Sequence, residues 1–285
     1  MLFLMIDLHI HSNASDGQYR PAELVEKAYE SGISVLAITD HDTVAGLSEA
    51  AEAAEKRHIV FIRGIEIFVG WPTGEFHLLG LGFTHISPSL AELVDFLQKK
   101  RTERNLHIIE KMREKGIDAS YDELCGLFPG RSVGRPHFAE YLKYKNTVKN
   151  NREAFEKYLG KGKPFYAERS GVNLDEAIQA IVDSGGVPVI AHPLSLYVSW
   201  GHLGTILEDI HSRGVEGIEA YHPGASGHDC KRLESLAHEH GMFVTAGSDF
   251  HGEKIRADRK LGYTADGKKI DDRFYYEELL PHLAK

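Results

Sequence analysis

The chain has 285 residues, 42% of them apolar, and a formal net charge of −9. That is enough hydrophobic material for one large α/β domain or two smaller ones, and it excludes a disordered chain. The acidic balance excludes a protein that coats long nucleic acid non-specifically, which needs a basic surface; a nucleotide or short oligonucleotide held locally remains compatible.

In chain order, the apolar run Met1 to Ile6 comes first. It is too short to span a membrane, lacks a basic flank and runs straight into polar residues, so it reads as a buried strand rather than a signal peptide. The strand-like runs are Phe3–Leu8, Val35–Thr39, Val60–Gly64, Phe76–Gly82, Val187–Ala191, Gly217–Ala220 and Phe243–Ala246. Several are almost uniformly apolar, the pattern of strands covered on both faces in a parallel sheet or barrel. Amphipathic helices are expected at Pro21–Ser31, Gly46–Lys56, Leu174–Ser184, Leu203–Arg213 and Cys230–His240. Gly32, Gly185, Gly214 and Gly241 are placed to close four of them. Seven strands alternating with helices predict a (β/α) barrel, residues 1–87 and 174–285. Between about Pro88 and Asn173 the periodicity is helical throughout, over Leu90–Lys115, Tyr121–Leu127, Pro136–Leu142 and Arg152–Tyr158. Residues 88–173 are therefore expected to form a helical insertion that caps the barrel. Two cysteines, Cys125 and Cys230, stand far apart in no zinc-type spacing, as expected in a reduced, cytoplasmic setting.

The chemistry gathers where the strands end. There are 17 histidines against those two cysteines, so metal chemistry here would use imidazole and carboxylate. The first strand runs into Asp7-Leu8-His9-Ile10-His11, and residues two apart on a strand share a face, so His9 and His11 can grip one ion. Asp16 follows in a polar loop. The second strand delivers His41 between Asp40 and Asp42, the third Glu66, the fourth His77, the fifth His192, and the last Asp249 and His251. One histidine at a strand end is readily a hydrogen-bonded structural residue. Ligand-type residues at the ends of successive strands converge in space, at the end where barrel active sites sit.

The segments DLHIHSNASDG, ITDHDTVAGL, GIEI, HLLG, IAHP and GSDFHG, in this order, resemble the motif set of the PHP (polymerase and histidinol phosphatase) family and span His9 to His251. The resemblance implies a distorted (β/α)7 barrel binding two to three divalent cations. His9, His11, Glu66 and Asp249 would hold one ion; Glu66, His77 and His192 a second; Asp16, His41 and His251 a third. Mixed imidazole and carboxylate ligands suit Mn, Fe or Zn. Two cations about 3.5–4 Å apart hold a hydroxide nucleophile and neutralise phosphate oxygens, the chemistry of a phosphoric ester hydrolase. Asp40 and Asp42, pointing away from His41 by alternation, would support the ligands from behind or cap a turn.

The insertion bears on the substrate. Arg101 and Arg104 lie three apart on one expected helix and so face one way. Arg135 and His137 sit in Ser-Val-Gly-Arg-Pro-His-Phe, and guanidinium forks match phosphate oxygens. By themselves the helical arginines fit a solvated face better than a phosphate pocket. Together with Tyr158–Pro164 they resemble the branch that removes the 3′-phosphate of nucleoside 3′,5′-bisphosphates and trims short 5′-phosphorylated RNA, with the cap supplying a second phosphate pocket. His222, after the sixth strand and before Pro223, either reaches substrate or leaving group or is a structural turn histidine. Two other readings are a histidinol-phosphate phosphatase, which has one phosphate to hold and no use for the arginines, and a non-catalytic metal-binding module of the kind fused to polymerases. No membrane association is expected, and the oligomeric state is left open.

Overall fold

The computed structural model describes residues 5–283. Seven strands form one sheet in chain order: β1 (Met5–Ile10), β2 (Ile33–Ile38), β3 (Val60–Val69), β4 (Phe76–Leu81), β5 (Val187–Ile190), β6 (Gly217–Tyr221) and β7 (Phe243–Ala246). Met1–Leu4, the start of the expected N-terminal run, lie outside the described residues. Every residue of β1, β4, β5 and β7 is buried, as near-continuous apolar strands require. The sheet is mostly parallel. β4 departs from expectation: it runs antiparallel to both β3 and β5, pairing Phe68 with His77 and Leu78 with Ile190. The reason is steric. Only residues 70–75 separate β3 from β4, too few for a crossover, whereas a hairpin needs no more. β3 also runs five residues past Gly64, where its sequence was expected to break.

The first strand meets the chain after the last one. Ile10 bridges Phe250 in parallel, the His11 N–H donates to the Phe250 carbonyl at 2.9 Å, and the Asp249 N–H donates to the His9 carbonyl at 2.9 Å.

Helices α1 (Pro21–Glu30), α2 (Leu47–Arg57), α3 (Pro88–Glu114), α4 (Tyr121–Leu127), α5 (Arg135–Tyr144), α6 (Asn151–Ala154), α7 (Leu174–Asp183), α8 (Trp200–Ser212) and α9 (Gly227–Glu239) follow the expected order, shifted by a few residues at their ends. Caps explain several starts. The Ser87 hydroxyl accepts from the Leu90 N–H at 3.2 Å with Pro88 next in line, and Asn173 accepts from the Asp175 N–H at 2.8 Å. The four glycines expected to close helices all take positive φ, from 72° at Gly241 to 111° at Gly214.

Buried apolar side chains fall into two clusters. The larger surrounds the sheet and includes Leu90, Leu93 and Leu97 from the first half of α3. The smaller, from Ile108 to Ala167, is built by the second half of α3 with α4, α5 and the chain up to Ala167. Residue Val172 then docks on β3, where the Gly70 N–H donates to its carbonyl at 2.9 Å and its own N–H donates to Phe68 at 3.1 Å. α3 thus carries one core into the other. Among the described residues no helix is long and apolar enough to cross a membrane.

Candidate metal and phosphate site

All nine expected ligand residues meet at one end of the sheet, around a single carboxylate. Glu66 is fully buried in β3, and both its oxygens face imidazoles. Oε1 lies 2.7 Å from His77 Nδ1 and 2.9 Å from His192 Nε2. Oε2 lies 2.8 Å from His41 Nδ1, 3.3 Å from His11 Nε2 and 3.5 Å from His9 Nε2. His77 is only the second residue of β4, and it reaches this end because β4 runs backwards. His41 arrives just after β2 and bridges Glu66, with the Asp42 N–H donating to the Glu66 carbonyl at 2.9 Å. Asp249 adds Oδ1 at 3.3 Å from His11 Nε2, and Asp16 lies 3.4 Å from His251 Nε2 and 4.0 Å from His41 Nε2.

The donor atoms fall into four overlapping groups close enough to hold cations: His9, His11 and Asp249; His9, Glu66 and His192; His41, Glu66 and His77; and His11, Asp16, His41 and His251. His41 therefore stands between two groups, where the family resemblance assigned it to one. The contacts of 3.3–3.4 Å match ligand atoms each about 2.1 Å from a shared ion, whereas those of 2.7–2.9 Å to Glu66 are of hydrogen-bond length. Two observations show that these groups suit cations better than one another. His9 Nε2 and His11 Nε2 face each other at 3.1 Å, although His9 already gives its Nδ1 proton to Glu219 at 3.0 Å. Glu66 Oε2 makes no hydrogen bond among the described residues, despite three imidazole nitrogens within 3.5 Å.

The electrostatics divide the cluster: against the opposing effect of burial, Glu219 and Glu66 hold the His9 imidazole well above its usual value, and Asp16 and Asp249 push His251 up to about 9, so the buried carboxylates draw positive charge into the cluster. Burial pushes the Glu66 carboxyl up, but the imidazoles of His41, His77 and His9 outweigh it and hold it well below the usual range. Asp16 and Asp249 are held down in the same way, chiefly by His251. Burial, then the neighbouring His251 and His41, pushes His11 down to about 3, which keeps it neutral with a lone pair to offer. The backbone is strained here too: Asp42, His192 and Asp249 have φ of 53°, 30° and 51°. Non-glycine residues hold such angles only where the surroundings impose them.

Support comes from behind, including from residues the sequence did not single out. Glu219, buried in β6, accepts from His9 Nδ1 and from the His192 N–H at 2.9 Å, so it aims two ligands at once. Its signal was a lone carboxylate in an otherwise apolar strand. Gly247 permits this contact, because a Cβ there would lie 2.3 Å from the His9 Cβ. Asp40 accepts from the Ser12 N–H, the Ser12 hydroxyl and the Ser15 hydroxyl at 2.6–2.7 Å, which fixes the loop carrying Asp16.

A cavity of about 1110 Å³ opens over the cluster, lined on the helical side by Arg101, Arg104, Arg135, Lys161 and Arg169. Asp42 binds Arg101 at 2.5 Å and also binds Arg169. Arg135 reaches Glu75 at 3.4 Å. Arg104 makes no ion pair among the described residues; it donates to Asn105 at 3.1 Å, and burial together with Arg101, Arg169 and Arg135 pushes its guanidinium down to about 9. Among the described residues the ion pairs of these four guanidinium groups use two carboxylates, Asp42 and Glu75, and Glu168 also lines the cavity. Arg169 carried no periodic partner in sequence and was not anticipated. His137 does not line the cavity. It turns inward, accepts from the Gly134 N–H at 3.0 Å and packs edge-on against Phe128, so direct contact with substrate is not its position. His222 does line the cavity; its Nδ1 accepts from the Gly224 N–H at 2.9 Å, which leaves the Nε2 proton facing Asp249 Oδ2 at 3.3 Å. On the other side of the mouth lie Arg256 and Arg259, also unanticipated.

Residues 7–163 match the PHP domain family. The chain belongs to that family. It is 36% identical to a 5′-3′ exoribonuclease of Haemophilus influenzae over 86% of this chain and 89% of that one. It is 35% identical to a 3′,5′-nucleoside bisphosphate phosphatase of Chromobacterium violaceum over 92% of each. Among solved structures, a Bifidobacterium adolescentis protein named for metal-dependent phosphoesterase activity superposes with a TM-score of 0.84 at 28% identity, covering 96% of this chain and 95% of that one. Within the PHP family this chain therefore keeps company with phosphoesterases along nearly its whole length.

Proposed function

We propose that the protein is a metal-dependent phosphoric ester hydrolase that removes the 3′-phosphate of nucleoside 3′,5′-bisphosphates and, by the same cut, trims short 5′-phosphorylated oligoribonucleotides. The observation that carries this reading is the coexistence, in one cavity, of seven members of the ligand cluster (Asp16, His41, Glu66, His77, His192, Asp249 and His251) and the Arg101, Arg104, Arg135 and Arg169 group. In this reading the sheet closes into a distorted (β/α)7 barrel and residues 88–173 form its cap, with the smaller apolar cluster as the cap's own core. His9, His11, Asp16, His41, Glu66, His77, His192, Asp249 and His251 would hold two or three divalent cations, Mn, Fe or Zn by ligand type. When bound, such cations supply an acidified water and neutralise phosphate oxygens. The chain's own groups do the rest. The arginines hold the 5′-phosphate and set the distance to the 3′-phosphate. Asp42 holds Arg101 and Arg169 at fixed positions, and Glu219 keeps the His9 Nε2 lone pair turned inward. His222 presents an Nε2 proton beside Asp249, within reach of a leaving oxygen. The free thiols of Cys125 and Cys230 accord with a reducing cytoplasm.

The test is phosphate release from adenosine 3′,5′-bisphosphate, 3′-AMP, 5′-AMP and histidinol phosphate by chelator-stripped protein with and without Mn. Activity should require Mn. A charge-assisted bidentate contact contributes roughly 1.5–3 kcal/mol, so the bisphosphate should exceed 3′-AMP in kcat/KM by about 10- to 150-fold. Arg104→Ala should narrow that gap. Equal use of both nucleotides would refute the arginine pocket, and a preference for histidinol phosphate would replace the substrate.

A further inference from the structure

A bisphosphate would occupy the ligand cluster and the helical-side arginines, and it leaves one basic group of the same cavity unused. Arg259 lies beyond β7, its side chain only 9% exposed, and its Nε has no hydrogen-bond partner among the described residues. That Nε is 3.8 Å from Asp249 Oδ2, while Nη1 lies 3.4 Å from Asp258. Asp249 is already engaged by His11 and His222, so it offers Arg259 little. Arg256 forks onto the same Asp258 carboxylate with two contacts of 3.1 Å. One shared carboxylate thus serves two guanidinium groups, and a buried guanidinium with an idle N–H calls for an anion. The position matters as well. These arginines stand beside Asp249, whereas Arg101 and Arg169 stand beside Asp42; the ligand cluster lies between. The cavity exceeds the roughly 300–1,000 Å³ usual for small ligands.

We propose that Arg259, assisted by Arg256, binds the phosphate one nucleotide downstream of the bond that is cut, so that the site is built for oligoribonucleotides and not only for mononucleotides. This rests on the function proposed above. In both substrate types the same bond breaks: a water oxygen bonds to phosphorus, the bond from phosphorus to the 3′ oxygen of the first nucleotide opens, and that oxygen takes a proton. From a bisphosphate the product is inorganic phosphate. From an oligoribonucleotide the phosphate stays on the next residue as its new 5′ group, and the following phosphate reaches Arg259.

The dinucleotides pApA and pApAp differ only by that downstream phosphate. Initial loss of each dinucleotide gives kcat/KM, because one cut turns pApA into two 5′-AMP but pApAp into 5′-AMP and pAp, and their equilibrium binding to chelator-stripped protein gives a readout free of turnover. Wild type should favour pApAp by about tenfold or more in both, the worth of one charge-assisted contact. Arg259→Ala should bring the ratio close to one, and the more exposed Arg256→Gln should lower it in part, which guards against a folding defect in the first variant. The proposal is overturned if wild type shows no preference, or if the ratio survives both substitutions. It is equally overturned if Arg259→Ala weakens pAp, pApA and pApAp by one factor, since the contact would then be with the phosphate that is cut. A wild type that uses pApA but leaves pAp untouched would instead refute the bisphosphate reading.

Discussion

Glu66 gathers the cluster, but Glu219 decides how well it is gathered. A carboxylate on the far nitrogen of a ligating histidine fixes the ring and its tautomer, and loss of such a partner typically costs 10- to 100-fold in metal affinity. Glu219→Gln should therefore move the midpoint of Mn activation upward by about that factor, with the lost activity recovered as Mn is raised. Glu66→Gln should not be recovered at any Mn concentration, because a carboxylate that faces five imidazoles has gone. A titration in which both variants behave alike would remove the distinction between holding an ion and aiming a ligand. The nine cluster residues were legible because strand ends repeat a simple rule, with ligand-type residues following apolar runs. Glu219 and Arg169 were not, since each stands alone in sequence and acquires its role from a partner about 210 or 127 positions away.

At the scale of elements, the helical segment shows how a side chain expected at the substrate can belong to the framework. His137 sits at the start of α5 with its Nδ1 committed to the Gly134 backbone, which holds the turn that carries Arg135. Burial pushes it down to about 4, with Arg131 and Arg101 acting in the same direction and Asp16 opposing. An imidazole whose folded pKa is depressed keeps its stability contribution above the unfolded value of about 6.5, and loses it as pH falls toward 4. Between pH 7 and pH 5 this one group should cost about 1–2 kcal/mol in urea unfolding of the chelated protein. His137→Asn should remove that part of the pH dependence, and an unchanged pH slope would show that the proton goes elsewhere. The antiparallel β4 carries a related lesson. An apolar run looks the same in either direction, and ending β3 at Gly64 left room in sequence for a longer connection. Only the true end at Val69 makes the hairpin unavoidable.

At the scale of the whole molecule, the cluster is a fastening as well as a site, because its members come from or follow β1, β2, β3, β4, β5 and β7. In the absence of cations it is a costly fastening. The rings of His11 and His251 stack at 4.0 Å and those of His11 and His41 approach at 4.5 Å, with Asp16, Glu66 and Asp249 buried among them. Anything that binds this folded arrangement and not the unfolded chain stabilises it by mass action, about 2.7 kcal/mol per site at a hundred times Kd. In a chain of 285 residues one kcal/mol moves Tm by about 1.7 °C, so each filled site should raise it by roughly 4–5 °C. Thermal melts with Mn against chelator should show this shift. Asp16→Ala, which touches only the group of His11, His41 and His251, should keep most of it. Glu66→Gln, which lies in two groups, should lose most of it. Equal shifts in the two variants would mean that the ions bind independently of the carboxylate that joins them. A melt unmoved by Mn in the wild type would mean that the buried cluster holds the strands together by itself.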